Sequence, residues 1–330
     1  MKTFIVAALS AIVSAEEITS EFMHFINYVA KYNKSYESVT EFDTRKEQFL
    51  RTHAIIEETN SSGNSKHVAG HNKFSDWTEE EFKTVLNGRK SQSLPDHIEM
   101  KVPQLESTPE SVDWRTTGNV TAVKNQGNCG SCWTFSTTGV LESAYSIDTG
   151  NLISMSEQLL MDCARNESNY SCEGGEIYWA YQWLYDHKMM TDADYPYLGV
   201  DQDTCSYDES KGLFFVKRYY SASNLGQDGD RTNIQAALAL KPCNVAVAAG
   251  NDIFRNYSSG ILSDESCPTD MDHSISAVGY GKEGDTDYMI VRNSWGTDWG
   301  EDGYIRMELM EHGIGICGVN QQVIYPELDL

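Results

Sequence analysis

The sequence is short of basic residues, short of long apolar runs, and uneven in its cysteines. Lys and Arg total 25 against 49 Asp and Glu, a net charge of −24 at pH 7. Residues 108–330 alone hold 33 acidic and 13 basic side chains. So acidic a surface repels nucleic acid and anionic membranes, which excludes both as partners. Its self-repulsion would ease at low pH as carboxylates protonate, and this suits an acidic compartment. No apolar run approaches the ~20 residues needed to cross a bilayer, which excludes a membrane span. Residues 16–100 contain no cysteine, and all eight cysteines fall between 129 and 317. There is no internal repeat and no low-complexity tract. No cofactor or metal is expected, and the chain is expected to act as a monomer.

What is present begins with MKTFIVAALSAIVSA at residues 1–15: a lysine, a short apolar run and a Val13-Ser14-Ala15 ending. This reads as a secretory signal cleaved after Ala15. Disulfides are then permitted. The Asn-x-Ser/Thr sites at Asn33, Asn60, Asn119, Asn166, Asn169 and Asn256 become candidate glycan acceptors. Entry to the secretory pathway leads either to a lysosome-like or phagosome-like acidic compartment or to export.

The chain changes character near residue 100. Phe22, Phe25, Ile26 and Val29 recur at helical spacing, as do Phe42, Phe49 and Ile56, so residues 20–60 read as helices. The Gly, Ser and Pro content of 87–109 reads as a linker. Beyond it a helix is predicted from Cys132 to about Asp148, ending at Gly150. Ser156 is placed to cap a short helix through Cys163. Further helices are predicted from Glu176 to His187 and from Asp230 to Leu240. The period then changes to two, and 244–250, 274–281, 288–295, 303–309 and 321–326 read as strands of an antiparallel sheet. Helices followed by strands indicate an α+β protein of two packed halves.

The stretch NQGNCGSCWTF, residues 125–135, carries a Cys-x-x-Cys pair. Such a pair can be a redox disulfide, half a zinc site, a cross-link, or a nucleophile beside a cross-link. Cys132 runs into the predicted helix, where unsatisfied N–H groups and the macrodipole favour a thiolate. Cys129 lies ahead of the helix and gains less. Of the histidines beyond residue 108, His187 reads as a solvated surface residue and His312 as part of a turn. His273 follows Asp272 and opens an apolar strand. At another strand end, NSWGTDWGEDGY (293–304) supplies Asn293, able to orient an imidazole, with tryptophans that can shield the bond. Each segment alone reads as readily as core packing.

Together these segments resemble the papain-like cysteine peptidases. Gln126 with Cys129-Gly130-Ser131-Cys132-Trp133 resembles the nucleophile motif of that family. Asp272-His273 ahead of AVGYG resembles its histidine motif, and Asn293-Ser294-Trp295-Gly296 its asparagine motif. The resemblance covers residues 108–330 and implies a two-lobed fold, a helical lobe against an antiparallel β-sheet or barrel lobe. Upstream, Glu41, Arg45, Phe49, Ile56 and Asn60 resemble the helical inhibitory propeptide of the cathepsin L-like branch, with Thr52 where asparagine is usual. Gly70, Asn72, Phe74 and Asp76 resemble its second motif.

The resemblance implies three regions: signal peptide 1–15, inhibitory propeptide 16–107 and mature peptidase 108–330. It implies the pairs Cys129–Cys172, Cys163–Cys205 and Cys267–Cys317, with Cys243 a buried thiol and Cys132 the nucleophile. It further implies His273 as the proton donor, protonated in a resting ion pair, Asn293 as its orienter and Gln126 as an oxyanion donor. Gly174 and Gly175 would pair with extended substrate, and Asp272 would help bind it. Glu176, Ile177, Ala246 and Gln322 would line the main specificity pocket. Small Ala246 leaves room for a bulky apolar residue at P2, while polar Glu176 and Gln322 would admit some arginine, unless Glu176 sits in solvent. The expected function is that of a zymogen of a cysteine endopeptidase acting on protein and peptide substrates, with its own propeptide as intramolecular inhibitor. The alternatives are another Cys–His acyl-transfer enzyme and a non-catalytic, disulfide-stapled binding protein on the same fold.

Overall fold

The computed structural model describes residues 20–63, 65–86, 98–103, 105, 107–166, 169–224 and 227–330. The expected signal segment 1–15 lies outside the described residues, as does most of the linker read over 87–109. The N-terminal region is built on two helices, α1 (Ser20–Lys31) and α2 (Val39–Ser61). Ser38 starts α2: its hydroxyl accepts from the Glu41 N–H, and the Glu41 carboxylate accepts from the Glu37 N–H. These bonds satisfy N–H groups that a helix start leaves without partners. Phe25, Tyr28 and Phe49 meet between the helices and are buried. The chain then forms β1 (His67–Ala69) and α3 (Glu79–Lys83), the latter closed by a reciprocal Thr78/Glu81 capping box.

The helical lobe comprises α4 (Cys132–Thr149), α5 (Glu157–Cys163) and α6 (Ile177–Trp183). α4 is buried along most of its length and ends at Gly150, whose φ of 79° is the left-handed conformation glycine adopts most easily. The Ser156 hydroxyl accepts from the Leu159 N–H and so caps α5. α6 is shorter than the Glu176–His187 helix predicted. The Tyr185 and Asp186 N–H groups tighten onto the Gln182 and Trp183 carbonyls, and the His187 ring also bonds Trp183 O. His187 stacks on Trp183 at 4.2 Å, so it is a packed residue rather than a merely solvated one.

The second lobe contains β2 (Val112–Asp113), β3 (Phe215–Ser221), β4 (Gly229–Asp230), α7 (Arg231–Leu240), β5 (Cys243–Val247), α8 (Asp252–Arg255), β6 (Tyr257–Leu262), β7 (His273–Glu283), β8 (Thr286–Arg292), β9 (Tyr304–Glu308), β10 (His312–Gly313) and β11 (Val323–Asp329). The main sheet runs β1-β6-β9-β8-β7-β5-β11-β3, with β2 beside β7. The five strands predicted from sequence pair with one another antiparallel, as expected, and the parallel pairing joins β9 to β6, a strand not predicted. The linker reading needs correction: Lys101 N–H and Ser221 N–H bond to Ser221 O and Glu99 O, so residues 99–101 lie along β3.

Two larger cores accompany the small aromatic one. Trp133, Leu141, Leu160, Tyr178 and Tyr181 centre the helical lobe. Phe254, Trp295, Trp299, Val291 and Ile305 centre the sheet lobe, and this core also takes in Phe74, Phe82, Val85 and Leu86 from the N-terminal region. Helices α1 and α2 have no such share in a large core. Phe49→Ala should therefore destabilise them by about 3–5 kcal/mol. In thermal melts this should appear as a low-temperature transition, with the main transition unmoved.

Candidate active site

Cys132 opens α4 and is fully buried. Its neighbour Cys129 is bonded to Cys172, so the pair is not a redox disulfide. The other bridges join Cys163 to Cys205 and Cys267 to Cys317, leaving Cys132 and Cys243 as thiols. Cys243 is buried beside β7, and burial pushes its thiol pKa up, away from reactivity.

One turn beyond Cys132, the Ser136 hydroxyl donates to the Ile275 carbonyl at 2.6 Å. That bond ties the first turn of α4 to the first residues of β7, whose opening residue is His273. The His273 Nε2 lies 2.8 Å from Asn293 Oδ1. The Ser294 N–H donates to the same Asn293 atom at 2.8 Å, so that atom must be the amide oxygen. Nε2 therefore carries the proton, and Nδ1 is left as the basic nitrogen. Trp295 stacks on the imidazole at 4.7 Å and shields the bond from solvent. Burial pushes His273 down to about 4, with the Asn293 bond pulling the other way. Burial in this structure thus favours the neutral ring over the protonated one.

Gln126 is fully buried. Its Oε1 accepts from Ser294 Oγ at 2.6 Å, and its Nε2 donates to Cys129 O and to Val85 O, both at 2.8 Å. A backbone carbonyl from the N-terminal region therefore sits on this amide. Beside it, a Cβ added to Gly130 would lie 2.7 Å from Leu86 O, and one on Gly250 would lie 3.0 Å from Leu86 Cδ1. Val85 and Leu86 fill the cleft here.

The same region is fastened further out. β1 adds to β6, Asn72 Nδ2 donates to Arg255 O, and Lys73 Nζ donates to Trp295 O at 2.6 Å. Phe74 and Phe82 both contact the Trp295 ring edge to face, at 5.3 and 5.4 Å. Asp76 is buried and accepts from Tyr28, Tyr36 and Lys34. Arg45 reaches from α2 to the Glu81 carboxylate with two nitrogens.

Among the remaining candidates, Gly174 adopts φ 112°. Gly175 owes its lack of a side chain to packing: a Cβ would fall 2.6 Å from the Trp133 ring. Asp272 accepts from the Ala249 and Gly250 N–H groups, bracing the turn after β5. Ala246 lies across from Ser274, and the pairing of Val323 with Val245 puts Gln322 beside Ala246. Glu176 and Ile177 are buried, so Glu176 does not sit in solvent. Asn169 and Asn256 are each 1 % exposed. A glycan needs a solvent-facing amide, which these two do not present here. The Asn60 side chain is held by both backbone groups of Ala69, and Asn119 is tied to Thr117 and Ser146. Asn33 and Asn166 are exposed.

The profile of the papain family cysteine protease matches residues 108–327, and that of the cathepsin propeptide inhibitor domain matches residues 25–82. The chain is 38% identical over 311 residues to cysteine protease XCP2 of Arabidopsis thaliana, covering 92% of this chain and 85% of that protein. It is 36% identical over 311 residues to pro-cathepsin H of Mus musculus, with 93% and 90% covered. The solved structure of digestive procathepsin L 3 from Tenebrio molitor larval midgut superposes with a TM-score of 0.81 at 32% identity, covering 93% of this chain and 99% of that one. The chain belongs to the papain family of cysteine proteases. It is the zymogen of a cysteine endopeptidase, and its N-terminal region is an inhibitory propeptide. Among the described residues no helix is long and apolar enough to cross a membrane.

Sequence reasoning missed a chain of three imidazoles in the propeptide. His24 Nδ1 lies 3.0 Å from His53 Nε2, and His53 Nδ1 lies 3.0 Å from His71 Nε2. The signal was available, since His24, His53, His67, His71 and His97 all precede residue 108. His71 stacks on Phe49 at 4.3 Å, and burial, with the charges of His53, His24 and Lys31, pushes it down to about 4. A base depressed in the folded state stabilises the fold above its unfolded pKa of about 6.5 and loses that contribution as pH falls toward 4. The propeptide's melting temperature should therefore drop across that window, and His71→Phe, which keeps the stacking, should flatten the drop.

Proposed function

We propose that Cys132 is the nucleophile of this endopeptidase, that His273 is its proton acceptor and donor, that Asn293 orients His273, and that Gln126 with the Cys132 N–H stabilises the oxyanion. The observation that carries this is the Val85 carbonyl held on Gln126 Nε2. A peptide carbonyl there has the contact that a substrate's developing oxyanion would use. Once the propeptide leaves, water enters, the desolvation that depresses His273 relaxes, and Nδ1 takes the thiol proton. The thiolate then attacks the scissile carbonyl, and the imidazolium returns its proton to the leaving amine. Water hydrolyses the resulting acyl-enzyme, with His273 as base.

The same reading takes residues 1–15 as a signal removed after Ala15, residues 16–107 as the propeptide, and Thr108 as the start of the mature enzyme. The enzyme then works as a monomer in an acidic lysosome-like compartment or after export. Asn33 and Asn166 are the acceptors whose exposure suits glycans. Ile177 and Ala246 support a pocket for bulky apolar P2 residues, and Glu176 and Gln322 support secondary acceptance of arginine.

Titration with a thiol-directed epoxide peptide tests the assignment. The intact zymogen should resist labelling, the acid-processed enzyme should bind one equivalent, and Cys132→Ala should neither label nor turn over. Gln126→Ala should lower kcat by about 10²–10³-fold; near-normal turnover in that variant would remove its oxyanion role.

A further inference from the structure

The serine before the nucleophile does something unusual for its position. Ser131 is the N-cap of α4, and an N-cap serine ordinarily turns its hydroxyl onto the second or third backbone N–H of the helix. Here Ser131, at φ −94° and ψ 14°, makes no side-chain cap bond. Its Oγ lies instead 2.8 Å from the Tyr197 hydroxyl. Tyr197 OH also donates to the Gln126 backbone carbonyl at 2.7 Å. A carbonyl only accepts, so the single phenolic proton goes to Gln126, and the Ser131 proton must go to the Tyr197 oxygen. The direction of both bonds is thereby fixed.

Tyr197 is itself held. Its ring meets Phe135 edge to face at 4.8 Å, and its loop is pinned to α5 by bonds from the Leu198 N–H to Gln158 and from the Ser156 hydroxyl to Tyr195 O. Burial keeps the phenol protonated, pushed up to about 12, with the Cys132 sulfur near enough to add to the rise.

We propose that Tyr197 is a positioning residue for peptide hydrolysis, joining the Gln126 segment to the Ser131–Cys132 helix start and holding the Ser131 hydroxyl away from the helix N–H groups. Both proposed oxyanion donors hang from the two segments that one phenolic oxygen ties together. With the serine hydroxyl diverted, the positive end of α4 acts on the Cys132 sulfur instead of on its own cap. This rests on the reading of Cys132 as nucleophile.

Tyr197→Phe removes one oxygen and keeps the ring. In the full-length chain, after acid activation, it should lower kcat about tenfold with KM within about twofold, since the donors stabilise the transition state more than the bound substrate. The released Ser131 hydroxyl should cap the helix, moving the pH profile of Cys132 alkylation by iodoacetamide up by about half a unit. Adding Ser131→Ala should bring that profile back while kcat stays low, which a loss of packing alone would not do. Wild-type kcat and an unmoved alkylation profile in Tyr197→Phe, whether or not its melting temperature falls, would overturn the proposal. Turnover that survives Cys132→Ala would instead overturn the nucleophile reading beneath it.

Discussion

One primary amide joins the three parts of the molecule. Gln126 accepts from Ser294 in the sheet lobe, donates to Cys129 at the edge of the helical lobe, and donates to Val85 of the propeptide. An amide offers two N–H donors, and both are committed in a site without solvent. Its orientation follows from the same bonds. Because Ser294 donates to Oε1, Nε2 must face the cleft, where any peptide carbonyl entering would find it. On the proposed role of Gln126, the propeptide and a substrate would compete for one hydrogen bond, which the Val85 carbonyl already occupies.

The strength of the block comes from elsewhere. A single neutral hydrogen bond contributes only about 1 kcal/mol net, too little to keep a segment in a cleft. Phe74 and Phe82 enter the core of the sheet lobe against Trp295, and Lys73 bonds the Trp295 carbonyl from the other side. Trp295 is the residue that also covers the His273–Asn293 bond. The propeptide thus anchors on the ring that covers the His273–Asn293 bond rather than on those two residues themselves. Each large apolar side chain buried there adds about 1.5–3 kcal/mol, so the anchor outweighs the plug. Loosening the propeptide means exposing these rings, which makes the stability of its own small core, around Phe25, Tyr28 and Phe49, the controlling quantity.

Much of this was legible because the chemistry demands particular residue types. A thiol ahead of a helix, a histidine opening an apolar strand and an asparagine before two tryptophans can each be found by eye, and their order is informative. Helix α4 was legible because Gly150 ends it; α6 was overextended because a local bond from the His187 ring to Trp183 O, and not a glycine or proline, accompanies its stop. The β6–β9 pairing was not legible, since β6 carries Gly260 at φ 87° and reads as a turn, and a parallel partner leaves no local trace. The Val85 contact was invisible for a deeper reason. It uses a backbone carbonyl, and every residue has one. The diversion of Ser131 was hidden too, because it depends on the nearness of Tyr197, 66 residues away in sequence.

Covering the site does more than exclude substrate. Burial of His273 disfavours its charged form, and its pKa falls to about 4 as a result. On the proposed assignment of Cys132 and His273, the cover that excludes substrate would also withhold the basicity the thiol needs, and water entering as the propeptide lifts would restore both access and basicity. Burial acts alike on His71 in the propeptide, which is pushed down to about 4, so the cover loses stability as pH falls from about 6.5 toward that value.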